Sequence, residues 1–417
     1  MEMTAIHNVI TVAALVLLYR SNRWISLPSF SQLFSFFYIF FILAGAYYLF
    51  YSNPGGYGRT LLIINASFLF FGAGSFFSAT VNVFGREDIV SYRSRELSGR
   101  FKHVPAMMSL ALLVFVSCLL AALYFRNGIP LFSLDIDLTR LEASRGGGYF
   151  FMGFTGILPL AVLLLMGRLY LREGRKPRLF FLLAFFLCVL FDVLSGYRAP
   201  LASLLLMVLL LHFYIKGRFT WKSILIGLSL FAVVFFGITY WKLNDTPDII
   251  GFLGQVFLHR VILDNPLAVS LVADVIPQRI DFFLGKSYIM DFLSALPGPG
   301  ISFGGWLLSQ TPSQEFFGLA MLTPTIVGEF YANFSLLGAC LLMFGFGFVL
   351  NNLFINLLRS KKEAAGLAFM IAVAFSLVNA AVLGLGTTVF TRLLVYSSAY
   401  VLFVFFYEMF NIVRRPS

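Results

Sequence analysis

Long apolar runs alternate with short polar segments along most of the chain. Apolar runs of roughly 17–25 residues are long enough to cross about 30 Å of hydrocarbon as helices. The sequence contains about eleven such runs, within a range of ten to twelve. They lie at about 5–19, 33–51, 60–84, 105–125, 150–171, 179–194, 199–215, 223–241, 321–350, 366–383 and 390–410. The pattern predicts an all-α, polytopic integral membrane protein.

Composition agrees with the membrane assignment. The mean hydropathy is +0.89, and 59% of the residues are hydrophobic while 12% are charged. Soluble globular domains have about twice that share of charged residues. We therefore expect the chain to work within or against a lipid bilayer.

The positions of lysine and arginine orient the predicted helices. Nineteen of these residues fall in the short segments on one side of the spans, and ten fall in the longer loops on the other side. Basic residues concentrate on the cytoplasmic side of membrane proteins. The N-terminus and the long segment 242–320 are therefore predicted to be external. The net charge of +11 is explained by the short cytoplasmic turns and their attraction to anionic lipid, so no nucleic-acid partner is expected.

The long external segment is predicted to be partly helical, within a single membrane domain that spans residues 1–417. Residues 249–261 carry apolar side chains at helical spacing, which predicts an amphipathic helix at the membrane interface. Asp264-Asn265-Pro266 predicts the start of a second helix. The segments 297–300 and Phe303-Gly304-Gly305 are predicted to break regular structure. A segment of this kind could cover a lateral cavity and let a lipid tail in from the side; an ordered external cap without a chemical role is the alternative interpretation.

Several arginines are predicted to lie on the external side. A guanidinium held near hydrocarbon costs about 2.5–3.5 kcal/mol and needs a partner. That partner is either a carboxylate, for which Asp192, Asp264 and Glu329 are available, or a phosphate, which arginine binds through two parallel hydrogen bonds. A polyprenyl diphosphate would fit both the depth and the charge. The external arginines are Arg59, Arg126, Arg140, Arg145, Arg198, Arg260, Arg279 and Arg392.

Asp135 and Asp137 form the one spacing that suggests a divalent metal beside a sugar phosphate. Their neighbours Leu134, Ile136 and Leu138 fit a short strand or turn equally well. Because the arginines already supply positive charge, no metal and no other cofactor is expected. The chain also has no Walker-type phosphate loop, so energy from ATP is not expected.

Three stretches carry a resemblance to a known family. Residues 127–132, which read Asn-Gly-Ile-Pro-Leu-Phe and are followed by Asp137, Arg140 and Gly146-Gly147-Gly148, resemble the external loop of Wzy-type O-antigen and oligosaccharide repeat-unit polymerases. The hairpin 195–198, Ser-Gly-Tyr-Arg, resembles the turn of that family in which small residues precede an arginine.

The third stretch, residues 324–334, resembles the start of the span that follows the long external segment in the same family. Ser335 departs from the family pattern, which usually has glycine there. The order of the three stretches, the number of spans and the place of the large loop also agree with the family, whose polymerases and ligases have a GT-C-like architecture.

The resemblance implies a membrane glycosyltransferase. Such an enzyme moves a growing glycan from undecaprenyl diphosphate onto a second lipid-linked repeat unit, on the outer side of the bacterial cytoplasmic (inner) membrane. A diphosphate leaving group needs its developing negative charge stabilised, which positioned arginines would do. Arg198 and Arg260 are the first candidates for diphosphate binding, and Arg140 is the third. A chain-length-regulating co-polymerase is a further partner that the family implies.

Four other residues complete the candidate site. A general base must take the proton of the acceptor hydroxyl, and Glu329 is the first candidate, with His259 second. Glu329 could instead be a helix N-terminal charge or an ion-pair partner, and His259 a packed interfacial histidine. Tyr197 and Tyr331 are candidate substrate contacts because each lies beside a proposed charged group.

Two rival functions stay open at this point. An O-antigen ligase would use the same lipid-linked donor and the same arginines with a lipid A-core acceptor. A transporter or flippase of lipid-linked glycans would also be polytopic and basic inside, but matching broken helices in two halves would be expected. No such internal repeat is found in the sequence.

Overall fold

The computed structural model of the chain is helical throughout the part that it describes. The described residues are 2–21, 27–98, 104–133, 153–171, 175–196, 198–218, 262–295, 301–310 and 323–413, with short pieces at 222, 225–227, 229, 251, 254 and 258. These residues contain no strand, and an isolated bridge joins Ser98 to Glu363. The predicted all-α class is confirmed.

Fifteen α-helices run through the described residues. The first nine are α1 (Glu2–Ser21), α2 (Phe30–Tyr38), α3 (Ala44–Ser52), α4 (Pro54–Val81), α5 (Arg86–Ser94), α6 (Val104–Asn127), α7 (Leu158–Leu171), α8 (Arg175–Leu194) and α9 (Arg198–Lys216). The others are α10 (Asp264–Val275), α11 (Lys286–Ala295), α12 (Phe303–Ser309), α13 (Thr325–Arg359), α14 (Ala364–Leu383) and α15 (Thr387–Val413). Short π-helical turns, Ile39–Leu43 and Gly153–Ile157, precede α3 and α7.

Ten apolar helices coincide with predicted spans. Seven of them are long and apolar enough to cross a membrane: Thr4–Ser21, Phe30–Ser52, Pro54–Val81, Pro177–Leu194, Ala199–Lys216, Thr325–Arg359 and Ala364–Leu383. Three shorter apolar helices are Met108–Ala122, Thr155–Leu171 and Val389–Phe405. The remaining predicted span, 223–241, lies mostly outside the described residues. The chain is a multi-pass membrane protein.

Large apolar side chains cover the outer faces of these helices. Val9, Phe186, Leu337 and Val401 are each more than 60% exposed. Such exposure would be costly in water and is the normal condition of a surface that contacts lipid tails.

The chain packs as two compact units. The first contains residues 1–88, 247–356 and 376–390, and the second contains 89–246, 357–375 and 391–417. In the first unit, α4 and α13 approach each other at glycines. A Cβ on Gly74 would overlap the carbonyl of Phe344, and a Cβ on Gly347 would overlap the carbonyl of Phe71. Small residues allow this close helix packing inside a membrane, where van der Waals contact drives association.

The second unit is built around an apolar core contributed by α6, α7, α8 and α9. Gly167 brings α7 close to the start of α14, because a Cβ there would lie 3.2 Å from the Ala364 carbonyl oxygen. The core side chains are Leu113, Val116, Leu120, Tyr124, Leu158, Ala161, Val162, Leu165, Ala184, Cys188, Phe191 and Leu204.

The long segment 242–320 agrees with one local prediction and corrects another. Helix α10 starts at Asp264 as expected, although its N-cap is Leu263 and no side chain caps it. The predicted break at Phe303-Gly304-Gly305 is wrong, because these residues begin α12. The Ser302 hydroxyl accepts a hydrogen bond from the Gly305 N–H at 3.2 Å, which caps the helix. The predicted helix at 249–261 and the break at 297–300 lie outside the continuously described residues.

Candidate functional site

Helix α13 is broken near its beginning. Phe334 (φ −135°, ψ 16°) and Ser335 (φ 65°, ψ −174°) have non-helical backbone angles. A positive φ of this size favours glycine, the residue that the resemblance led us to expect at Ser335. The break leaves a short helical segment, 325–333, ahead of the long part of the helix.

Carbonyl groups freed by the break are bound by the segment that precedes α11. The Phe283 N–H donates to the Ala332 carbonyl at 3.0 Å, and the Leu284 N–H donates to the Asn333 carbonyl at 3.1 Å. The Gly285 N–H donates to the Asn333 side-chain oxygen at 2.8 Å. The broken end of a membrane helix is therefore satisfied by backbone groups, as a low-dielectric environment requires.

Glu329 lies in the middle of this short segment and is fully buried. One carboxylate oxygen accepts a hydrogen bond from the Leu385 N–H at 2.7 Å, and the other accepts one from the Gly386 N–H at 3.1 Å. These two donors immediately precede α15, so the carboxylate sits at a helix N-terminus, where negative charge is favoured. Gly384, with φ 72°, is required beside it, because a Cβ there would overlap the Glu329 carboxylate.

A second buried carboxyl group, Asp291, lies close to Glu329. A Cβ on Gly386 would lie 3.2 Å from an Asp291 carboxyl oxygen and 3.3 Å from a Glu329 carboxylate oxygen, so the two acids flank this glycine. The Phe303 N–H donates to the other Asp291 oxygen at 3.0 Å. Burial raises the pKa of the Tyr288 phenol, and the nearby Glu329 and Asp291 raise it further. The first unit thus contains a buried acidic pocket with a neutral phenol beside it.

Tyr331, on the same short segment, is 4% exposed and contacts an arginine. The Arg59 guanidinium donates a hydrogen bond to the Tyr331 hydroxyl, and its central carbon lies 5.8 Å from the centre of the ring. Phe282 packs edge-on against the same ring, with 6.0 Å between the ring centres. The Tyr331 hydroxyl therefore already has a cationic partner.

The second unit contains a different buried acid. Asp192 is fully buried in the last turn of α8, and neither of its carboxyl oxygens has a hydrogen-bond partner. Arg392, on α15, is 6% exposed, and its Nε atom also has no hydrogen-bond partner. Asp192 and Arg392 are thus two buried ionisable residues of the second unit with polar atoms that have no hydrogen-bond partner in the described structure.

The described residues locate only part of the predicted site. Glu329 and Tyr331 share the segment 325–333 in the first unit. Arg198 is the first residue of α9 in the second unit, and its side chain lies outside the described structure. Also outside the described residues are Arg140, Tyr197, His259, Arg260, Asp135 and Asp137. The roles predicted for all these residues stay predictions.

Sequence reasoning missed Asp291 altogether, and it named Arg59, Asp192 and Arg392 without placing them in the site. Asp291 has no local signature, because its relation to Glu329 depends on tertiary packing. Asp192 and Arg392 did carry a signal. Each is a charged residue at the edge of an apolar run, where ionisable groups commonly mark functional positions.

Comparison with known protein families gives a match. A family model with the description "Putative O-antigen polymerase" matches residues 32–262, more than half of the chain. Neither the curated proteins nor the solved structures give a match. The matched region contains Asp192 and all the predicted diphosphate-binding arginines, whereas Glu329, Tyr331 and Arg392 lie beyond it.

Proposed function

Because the chain belongs to the O-antigen polymerase family, we propose that it is a membrane glycosyltransferase that polymerises undecaprenyl-diphosphate-linked oligosaccharide repeat units into surface polysaccharide. The family match over residues 32–262 is the observation that carries the proposal. The reaction takes place on the outer side of the bacterial cytoplasmic (inner) membrane. The orientation predicted from the positive-inside rule makes the loops that carry Arg140, Arg198 and Arg260 external.

Arginines bind the diphosphate in this proposal. Arg198 and Arg260 are the main ligands, and Arg140 is the third. Their guanidinium groups stabilise the negative charge that develops on the diphosphate as the glycosidic bond to it breaks. Arg198 as the first residue of α9 supports this role, because the N-terminus of a helix adds its own favourable potential for an anion.

Glu329 is the proposed general base, with His259 as the second candidate. The two backbone N–H groups that bind the Glu329 carboxylate fix its orientation, and each oxygen keeps a lone pair that can accept a proton. The same contacts also match the alternative role of Glu329 as a helix N-terminal charge. The two roles are compatible, since a base must be held in place to act.

Tyr197 and Tyr331 are the proposed contacts to the sugar. The Arg59 hydrogen bond fixes the Tyr331 hydroxyl, so Tyr331 would contact a sugar through its ring. No metal or other cofactor takes part in the proposed reaction, and a co-polymerase would set the chain length.

A strain from which this chain has been deleted tests the function. Loss of long chains, with single capped repeat units retained, is the expected result. Restoration by the wild-type chain and by the control Arg20→Gln, which alters an exposed arginine, but not by Arg198→Ala would support the diphosphate role. Unattached polymer in the deletion strain would instead indicate a ligase, and the absence of external lipid-linked units would indicate a flippase.

A further inference from the structure

Gly386 leaves a notch between two buried carboxyl groups of the first unit. A Cβ at this position would lie 3.2 Å from Asp291 Oδ2 and 3.3 Å from Glu329 Oε1. Asp291 and Glu329 are fully or almost fully buried, whereas Gly386 is half-buried and reaches the protein surface. Residues 384–386 connect two spans on the predicted external side. A small group that enters at Gly386 from that side would therefore contact both acids.

Backbone groups fix both acids and decide which of them carries the charge. The Phe303 N–H binds the other Asp291 oxygen at 3.0 Å, and Oδ2 lies beside the notch. Two carboxyl groups this close in a low-dielectric pocket hold one proton between them, because two negative charges would repel each other strongly. Glu329 accepts an N–H on each oxygen at the N-terminus of α15, which stabilises its charge. The charge is thus on Glu329 and the proton on Asp291.

A third polar group of the pocket is not used by the described residues. Tyr288 precedes Asp291 by three residues on α11, so the two side chains share a face of the helix. The Tyr288 hydroxyl oxygen is buried and has no hydrogen-bond partner in the described part of the chain. Asn333 lies near it, but the Asn333 amide already donates to Ser287 and to the Glu329 carbonyl. Buried polar groups without a partner are rare and point to a ligand or water that completes them.

The notch selects a hydroxyl group. A hydroxyl oxygen can accept a hydrogen bond from the protonated Asp291 and donate its own hydrogen to the ionised Glu329. A phosphate would be repelled by the Glu329 charge. Mg²⁺ or Ca²⁺ takes about six or more oxygen ligands, and the described residues contain no group of three or more His, Cys, Asp or Glu side chains that could hold a metal ion.

We infer that the notch at Gly386 binds the attacking hydroxyl of the acceptor sugar, between Asp291 and Glu329. This inference rests on the proposed function and adds Asp291 as a second catalytic carboxyl group. The hydroxyl oxygen forms the new glycosidic bond to the anomeric carbon of the donor glycan, while the bond from that carbon to the diphosphate breaks and its electron pair leaves with the diphosphate. The hydroxyl proton passes to Glu329. Asp291 keeps its proton and donates a hydrogen bond that orients the attacking oxygen.

Filling the notch tests the inference most directly. Gly386 does not have a positive φ, so alanine is compatible with its backbone, and the added methyl group would occupy the place of the hydroxyl. In the full chain in lipid nanodiscs, Gly386→Ala should weaken binding of the free repeat-unit oligosaccharide by about tenfold or more. This probe is released by mild acid from the lipid-linked unit that accumulates in a strain without this chain. Binding of undecaprenyl diphosphate should stay as in the wild type.

Two substitutions of Asp291 separate its hydrogen bond to the sugar from its structural role. Asp291→Asn keeps an oxygen for the Phe303 N–H and places an amide N–H in the notch, so oligosaccharide binding should stay within about threefold of the wild type. Asp291→Leu loses both contacts and should bind about tenfold more weakly. If the leucine variant does not fold, Gly386→Ala still decides. Gly366→Ala is the control, because the nearest atom would be 3.9 Å from its Cβ, and it should leave the binding of both probes unchanged.

Three results would overturn the inference. Wild-type oligosaccharide binding by folded Gly386→Ala would mean that water alone enters the notch. Weaker undecaprenyl diphosphate binding in the same variant would mean that filling the notch disturbs the whole site. Loss of wild-type oligosaccharide binding in EDTA, restored by Mg²⁺, would assign the two acids to a cation. The proposed function fails separately: a chain that binds oligosaccharide through the notch but never joins lipid-linked units would keep the sugar site and lose the polymerase.

Discussion

Glu329 and Asp192 are both fully buried carboxyl groups close to an end of an apolar helix. Glu329, in the first unit, accepts one backbone N–H on each oxygen. Asp192, in the second unit, accepts none on either oxygen. From the sequence the two residues look alike, since each was an available partner for an external arginine.

The difference separates a carboxyl group that is bound by the backbone from one that has no hydrogen-bond partner in the described structure. A hydrogen bond to a charged group contributes about 1.5–3 kcal/mol, whereas a buried polar group without a partner costs about 1–3 kcal/mol. Removing the Glu329 carboxylate should therefore destabilise the protein more than removing the Asp192 carboxyl group, which breaks no hydrogen bond. Four substitutions test this contrast, in order of falling effect.

Gly384→Ala should have the largest effect on stability. A Cβ at this position would overlap the Glu329 carboxylate, and φ is 72° there. We expect a loss of about 3 kcal/mol or failure to fold, measured as the thermal midpoint and the yield of monodisperse protein. Gly345→Ala is the control, because a Cβ on Gly345 meets no atom within 4 Å. Equal midpoints for the two variants would show that Glu329 does not lie against Gly384.

Glu329→Gln should lower the thermal midpoint by a smaller amount, equivalent to about 1.5–3 kcal/mol. A glutamine amide can accept from only one of the two backbone donors, and its own N–H₂ would face the other. Polymer formation per folded molecule should also be lost if Glu329 is the base. The control is Glu96→Gln, at an exposed position. Full turnover by folded Glu329→Gln would transfer the role of base to His259.

Asp192→Asn should change the midpoint less than Glu329→Gln does, by at most about 1 kcal/mol. The substitution breaks no hydrogen bond, because neither Asp192 carboxyl oxygen has a partner in the described structure. Asp281→Asn, at an exposed position, is the control and should leave the midpoint unchanged. A loss of stability as large as that of Glu329→Gln would mean that the Asp192 carboxyl group has a structural partner, and the contrast with Glu329 would be lost.

Tyr331→Phe should have the smallest effect, about 0.5–1 kcal/mol. It removes the hydroxyl that binds Arg59 but keeps the ring that packs against Phe282. The Arg59 side chain is exposed and can turn to water, which limits the loss. Tyr48→Phe, at a residue that is 52% exposed, is the control. A loss as large as that of Glu329→Gln would show that the Arg59–Tyr331 contact stabilises the first unit as much as the hydrogen bonds of Glu329 do.

The helices were the most predictable part of the molecule. Hydrophobic length alone placed ten apolar helices, because a bilayer demands a continuous apolar run of nearly fixed length. Asp264-Asn265-Pro266 also marked the start of α10 correctly. Phe303-Gly304-Gly305 does not interrupt regular structure, because Ser302 caps a short helix that begins there. The prediction considered the two glycines and not the preceding serine.

Pairings at the candidate site could not be predicted in the same way. Glu329 is bound by the backbone of Leu385 and Gly386, and backbone donors leave no mark in the side-chain sequence. The Asp192 carboxyl oxygens have no hydrogen-bond partner in the described structure. Whether such a partner is present depends on tertiary packing, which the sequence does not show. The resemblance led us to expect glycine at Ser335, and its φ of 65° lies in the range that favours glycine.

Reconstitution gives the most direct test of the central claim that this chain joins lipid-linked repeat units. The purified full-length chain would be placed in lipid vesicles with single undecaprenyl-diphosphate-linked repeat units as the sole glycan substrate, and the products would be separated by length. A ladder of products that grows by one repeat unit at a time, present with the wild type and reduced with Arg198→Ala, is the predicted result. Repeat units that stay single in the presence of folded wild-type protein would contradict the claim.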